Sequence, residues 1–169
     1  MTTTAPDGAA ALTPYDVLVS APRLDDQLCF DLVRAARAVT DAYRTPLGRL
    51  GLTHTQYLVL LALWQDGTEA VHSDRLAVRL DMDPADLAPA VMRMVCTGLL
   101  DVRPDPSAGH WVRATLKADG LRGQLADAHC AVRRQLDLGE AEFRALQAEL
   151  RRVAATQRED QNEPAGPTT

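Results

Sequence analysis

The 169-residue chain has no run of 18 apolar residues, so no segment is expected to span a membrane. Its opening, MTTTAPDGAA, has no basic stretch ahead of an apolar one, which argues against a secretory leader. Cysteine is scarce: Cys29, Cys96 and Cys130 lie far apart, with no CxxC and no Cys/His metal spacing. His72, His110 and His129 show no ligand spacing either. A zinc site, a disulfide scaffold and a bound cofactor are therefore not expected. The default is a cytoplasmic protein with reduced thiols. Basic charge is also short, with a net charge of −5, so nothing in the overall balance advertises a nucleic-acid partner. What is present is enough apolar sequence for a core: 46% hydrophobic against 24% charged residues.

Most of the chain reads as helix. Leu28, Leu32, Ala36, Val39 and Tyr43 recur at spacings of three and four. This predicts a first helix from about Leu24 to Arg44, with Asp25 and Asp26 at its start and Pro46 helping to stop it. Thr53 to Gln56 forms a capping box ahead of YLVLLALW, a run apolar nearly all round, which predicts a central, buried helix ended by Gly67. Ser73 is expected to cap a short third helix. Asp83 is expected to cap a fourth, with Pro84 at its first position, a bend at Pro89 and a stop at Gly98.

The period then changes. Leu99–Arg103 and His110–Leu116 are short extended runs separated by PDPSAG, a β-hairpin with a long tip. Helices from about Ala118 to Gln135 and Gly139 to Gln157 follow. In the last, Phe143, Leu146, Leu150 and Val153 make an interface seam. The fold class is mainly α with a small β-hairpin wing: a winged helix-turn-helix whose terminal helices want a partner subunit. The organisation read from the sequence is a loose arm over residues 1–20 and a first helix with its flanks over 21–52. The winged helix-turn-helix takes 53–116, dimerisation helices 117–157, and a disordered tail 158–169.

This arrangement resembles the MarR family of dimeric winged-helix regulators, and within it the organic hydroperoxide resistance regulators. Leu24-Asp25-Asp26-Gln27-Leu28-Cys29-Phe30 matches the family segment around the peroxide-sensing cysteine. Leu52-Thr53, Gln56-Tyr57-Leu58 and Trp64 match the second helix. Leu87, Pro89, Arg93 and Gly98-Leu99 match the recognition-helix skeleton, and Leu116 and Gly120 match the step after the wing. The likeness covers roughly residues 24–155.

The resemblance implies a homodimer on double-stranded DNA and a sensor thiol at Cys29. A thiolate attacks a peroxide oxygen, leaving a sulfenic acid and an alcohol. A helix N-terminus helps the thiolate, whereas Asp25 and Asp26 oppose it. Two tyrosines bond the sulfur in the family; Tyr43 matches one, and His54 stands at the other. By itself, Cys29 also reads as a small buried hydrophobe on a helix face. Cys130 is a possible resolving thiol, with an inert packed cysteine as the equal alternative; the family position aligns near Arg134, one turn later. Cys96 receives no role.

The DNA-contacting positions depart from the family pattern. Pro84, Ala85, Asp86, Ala88 and Met92 stand where the family has Ser, Gly, Thr and later Lys. Arg93 is the one basic side chain kept there, and the sequence leaves its direction open. At the wing, His110 and Trp111 stand where basic residues are expected, followed by Arg113. Asp86 also reads as the reciprocal partner in an Asp83 capping box. Residues 71–115 carry five arginines against six aspartates, whereas a DNA-reading module normally shows a basic footprint.

Three readings follow. One is a repressor released from DNA by organic hydroperoxide acting at Cys29. The second is a regulator whose signal is a small ligand in a pocket lined by Cys29, Tyr43, His54, Tyr57 and Trp64. The alternative class is a winged-helix dimer that has lost DNA binding and binds or transforms a metabolite there, with Cys29 as nucleophile and His54 as acid or base. No full catalytic constellation is visible, so an enzyme is the less expected outcome.

Overall fold

The computed structural model describes residues 23–162 apart from Asp66 and Thr68, and side chains through residue 155. The arm expected over 1–20 and the tail beyond 162 lie outside the described residues. The chain divides into two compact units, 1–38 and 39–169, each described by itself.

In the first unit a 3₁₀ turn, Leu24–Asp26, precedes α1, Leu28–Gly48, which continues into the second. The expected helix start at Leu24 therefore moves to Leu28, and Cys29 falls in the first turn of α1 instead of its second. Pro46 does not stop the helix; it lies inside it. A proline near the C-terminus removes one amide donor only, and Leu47, 1% exposed, anchors that last turn in the core. The stop comes two residues later, where the Leu52 amide donates to Leu47 O at 3.0 Å.

The second unit is built around α2, His54–Gln65. Thr53 Oγ1 accepts from the Gln56 amide at 3.3 Å, and Gln56 Oε1 accepts from the Thr53 amide at 2.9 Å, the reciprocal capping box expected there. Tyr57, Val59, Leu60, Ala62 and Leu63 are buried, so the helix is core on nearly every side. Next come β1, Val71–His72; α3, Ser73–Leu80; and α4, Pro84–Cys96. The helix-turn-helix pair packs on α2, with Leu76, Ala77, Leu87 and Met94 turned inward. Leu76, Leu87 and Met94 each contribute about 1.5–3 kcal/mol of transfer free energy.

Ser73 does not cap α3. His72 does, its Nδ1 accepting from the Asp74 amide at 3.3 Å. Asp83 caps α4 as expected, with Oδ1 accepting from the Ala85 amide at 2.7 Å and Pro84 at the first helical position. The helix passes through Pro89 and closes with the Leu99 amide on Met94 O at 2.8 Å and the Gly98 amide on Val95 O at 2.9 Å.

The wing is β2, Leu100–Pro104, and β3, His110–Ala114. With β1 it forms an antiparallel sheet in the order β1-β3-β2, registered by Val71↔Val112 and Val102↔Val112. The third strand is an addition to the expected hairpin. Then come α5, Leu116–Asp119, capped by Thr115; α6, Arg122–Gln135; and α7, Glu140–Asn162. The expected single helix from Ala118 is thus split at Gly120-Leu121, and α7 runs past the boundary expected at 157. In α6, Leu125, Ala128 and Val132 are buried, whereas α7 has no buried residue among those described.

Candidate functional site

Two parts of the second unit carry chemistry: the α4-wing face, and an aromatic cluster between α1, α2 and α6.

On α4 the expected contact residues Asp86, Ala88 and Arg93 are all exposed, which settles Arg93 as outward. Among the described residues no hydrogen bond returns from Asp86 to the Asp83 amide, so Asp86 is not the reciprocal half of that cap. Ala85, Ala88, Pro89 and Met92 are likewise exposed, and their spacing places them on one stripe. Met92 is 59% exposed. Between α4 and the wing lies a groove of about 320 Å³, lined by Pro84, Ala88, Val91, Met92, Val102 and His110 among others.

The wing tip is fastened to the start of α3. His72 Nε2 and Ala108 O are hydrogen-bonded at 3.0 Å, and the His110 amide donates to Ser73 Oγ at 3.2 Å. Trp111 meets the His72 ring edge-on, with 5.4 Å between centroids, and its Nε1 donates to Asp105. The hydroxyl and amide of Ser107, then Trp111, hold the Asp105 carboxyl down at about 2. Asp105 thus stays ionised beside His110 and Trp111, which hold the positions where basic residues are expected from the resemblance. Arg113 sits opposite Asp101 across the strands and pairs with it at 3.1 Å.

In the aromatic cluster, capped α2 presents His54 and Tyr57 to Tyr43 of α1. Ring centroids are 5.2 Å apart for Tyr43–His54, 5.4 Å for Tyr43–Tyr57 and 6.2 Å for His54–Tyr57. The Tyr43 hydroxyl and His129 Nδ1 are hydrogen-bonded at 2.9 Å. Burial pushes the Tyr43 phenol up, and burial with the neighbouring Tyr43 pushes Tyr57 up to about 12. Burial lowers His54. All three rings are therefore held neutral at pH 7, so the cluster can donate hydrogen bonds without adding charge.

Trp64 stands two turns along α2 from Tyr57. Tyr57, Leu61, Trp64, Arg122, Leu125 and His129 help line a cavity of about 380 Å³. The Arg122 guanidinium lies 4.4 Å over the Trp64 ring, and Trp64 Nε1 is buried without a hydrogen-bond partner. A group able to accept a hydrogen bond would complete that wall.

The structure thus gathers Tyr43, His54 and Tyr57, and sets Trp64 with Tyr57 on one cavity. Cys29 belongs to the first unit and is exposed in the first turn of α1. Cys130 is exposed on α6, and Cys96 is exposed at the end of α4. Arg122 and His129 had no role in the sequence reading. His129 had been set aside for lacking ligand spacing; its real partner is 86 residues away. Among the described residues no group of three His, Cys, Asp or Glu side chains could hold a metal ion, and no helix is long and apolar enough to cross a membrane.

A solved transcriptional regulator of the MarR family from Rhodococcus sp. RHA1 superposes with a TM-score of 0.65, covering 79% of this chain and 96% of that one at 24% identity. The chain has the winged-helix fold of that structure. No family model matches it. Two curated relatives are similar to this chain in sequence. The HTH-type transcriptional regulator TtmR of Methylorubrum extorquens is 36% identical over 104 residues, 60% of this chain and 52% of the relative. The organic hydroperoxide resistance transcriptional regulator of Bacillus subtilis is 34% identical over 98 residues, 58% of this chain and 65% of the relative. The matches thus span half to two thirds of those relatives' lengths.

Proposed function

We propose that the chain is a cytoplasmic transcriptional regulator, a homodimer that binds double-stranded DNA through α4 and the wing and leaves it on a chemical signal. The observation that carries this is the outward α4 beside a wing locked to α3, in a chain 34% identical over 98 residues to an organic hydroperoxide resistance regulator. The dimer seam is α7, where Leu146 and Leu150 are 49% and 42% exposed on a helix with no buried residue among those described. A large apolar stripe of this kind belongs against a second copy.

The proposed signal is an organic hydroperoxide. The Cys29 thiolate attacks the peroxide O–O bond, the sulfur becomes a sulfenic acid, and the remaining oxygen leaves as an alcohol. Placement in the first turn of α1 favours the thiolate through the helix N-terminus. Fourteen residues of α1, about 21 Å, separate Cys29 from Tyr43 in one chain, so the proposed hydrogen-bond donors to the sulfur are Tyr43 and His54 of the second copy. Cys130 is the proposed resolving thiol, whose attack on the sulfenic acid gives a disulfide and water.

A small ligand is a second signal, favoured by the cavity at Trp64 and Arg122. A ligand binding more tightly to the DNA-free arrangement than to the bound one lowers DNA affinity by that difference. A gel shift with the promoter region beside the chain's own gene tests the whole reading. Reduced protein is expected to bind in a salt-sensitive way and to release after limiting hydroperoxide, and the Cys29→Ser variant to bind and stay bound. Release of that variant by peroxide removes the sensor role; no binding by reduced protein removes the regulator.

A further inference from the structure

The outward face of the recognition helix is unusual for a DNA reader. Ala85, Ala88, Pro89 and Met92 follow one another at spacings of three, one and three, and all four are exposed. This is a carbon stripe, beside which Asp86 and Arg93 are the exposed charges. The groove between the stripe and the wing is also largely apolar, with Val91, Val102 and Val112 in its wall.

In the major groove the apolar feature a side chain can recognise is the C5 methyl of thymine, and a carboxylate accepts from an amino group, with cytosine N4 its usual partner because adenine N6 sits beside the N7 acceptor. A carboxylate meets no favourable partner among phosphates. Asp86 lies in the first turn of α4, and residues near the start of a recognition helix are those that reach base edges. Its carboxylate is exposed and is not the reciprocal half of the Asp83 cap.

We propose that α4 selects its half-site by carbon and a carboxylate: Ala85, Ala88 and Met92 pack against thymine methyls, and Asp86 accepts a hydrogen bond from a cytosine amino group. This rests on the DNA-binding reading above and names which bases that reading requires. It also gives the acidic residue on this helix a purpose, because the carboxylate rejects keto-bearing edges as well as accepting the amino group.

The test uses the reduced full-length chain and duplexes selected from a randomised pool. Anisotropy titrations at fixed salt then compare the selected duplex with versions carrying deoxyuridine for thymine, one position at a time. The expected result is about four-fold weaker binding at each contacted methyl, the ratio that burial of one methyl gives. One such position is expected to become insensitive in Met92→Ala. Replacing the read cytosine is expected to cost the wild type about ten-fold or more, Asp86→Ala to cut that preference below about two-fold, and Asp86→Asn to move it towards adenine. Both side chains are exposed, and matched thermal melts confirm folding.

DNA binding that ignores deoxyuridine, with an unchanged base profile in Asp86→Ala, overturns the inference and leaves the regulator standing. Failure of the reduced chain to enrich any duplex overturns both. A change in the free chain's sedimentation in Met92→Asp identifies the stripe as a contact between copies and also overturns the inference.

Discussion

Replacing Gly109 with alanine separates the local cost of a left-handed residue from the cost of breaking the wing clasp. Gly109 has φ +74°, and an added Cβ would stand 2.8 Å from His72 Cε1, 2.9 Å from His72 Nε2 and 2.9 Å from Ser73 Oγ. Gly98, with φ +71°, has nothing within 4 Å of the same virtual atom. Alanine at either position costs about 1 kcal/mol for the backbone alone. At Gly109 the neighbours must also move. Displacing His72 loosens its bond to Ala108 O and its cap on the Asp74 amide; turning Ser73 releases the His110 amide. Two to three net hydrogen bonds add about 2 kcal/mol. In a chain of this length each kcal/mol lowers Tm by about 2–4 °C. At one fixed protein concentration, Gly98→Ala should therefore lower Tm by about 2–4 °C and Gly109→Ala by about 6–12 °C. Hydrogen exchange at the His110 amide should accelerate only in the second variant. Equal Tm losses, with His110 still protected in Gly109→Ala, refute the close packing of wing tip on α3.

Two further outcomes follow from burial and from α7. The double variant Leu146→Asp, Leu150→Asp should sediment as a monomer while its second unit keeps its helical circular dichroism; a wild type that is already monomeric at micromolar concentration refutes the α7 seam. Stability should also bend at both ends of the pH range. Tyr57 titrates at about 12 in the fold against 10.0 unfolded, so the chain loses stability as pH rises from about 10 towards 12. His54 titrates below 6.5 in the fold, so stability falls as pH drops through 6.5. Denaturant midpoints across pH check both, and Tyr57→Phe should shrink the alkaline arm, to which Tyr43 also contributes, and leave the acid arm in place.

Local chemistry made much of this fold legible. The Thr53–Gln56 box and the Asp83-Pro84 start are written in adjacent residues, and both helices begin where those residues place them. The errors share a different origin. Pro46 read as a terminator because propensity says so, but buried Leu47 outweighs one missing donor. Strand β1 has two residues, too few to show a period, and exists because Val112 and Trp111, some forty residues on, offer it an edge. The same distance hid the capping of α3: Ser73 is the stronger cap by type, yet its hydroxyl is engaged by the wing and His72 takes the amide. In the aromatic cluster, Tyr43, His54 and Tyr57 could be named from the sequence. His129 could not, because nothing local marks the α6 residue that will face a phenol on α1.

If the chain binds DNA as proposed, its charge balance decides how that DNA must be held. Phosphate contacts supply affinity without sequence, in proportion to the cations offered. In the helix-turn-helix and wing these are few: Arg113 is paired with Asp101, Arg79 bonds Gln65 at 2.7 Å, and Arg75, Arg93 and Arg103 are the exposed remainder. Asp86 and the ionised Asp105 subtract from them. A single reading head of this kind has little non-specific grip, so most of its discrimination must come from base edges and from a second head held at fixed spacing. The apolar stripe on α4 and the apolar seam on α7 then answer the same deficit. In the proposed dimer the first replaces phosphate contacts with contacts that depend on sequence, and the second doubles the number of bases read at once. On the proposed reading, loss of the dimer therefore costs more DNA affinity here than it would cost a strongly basic winged helix.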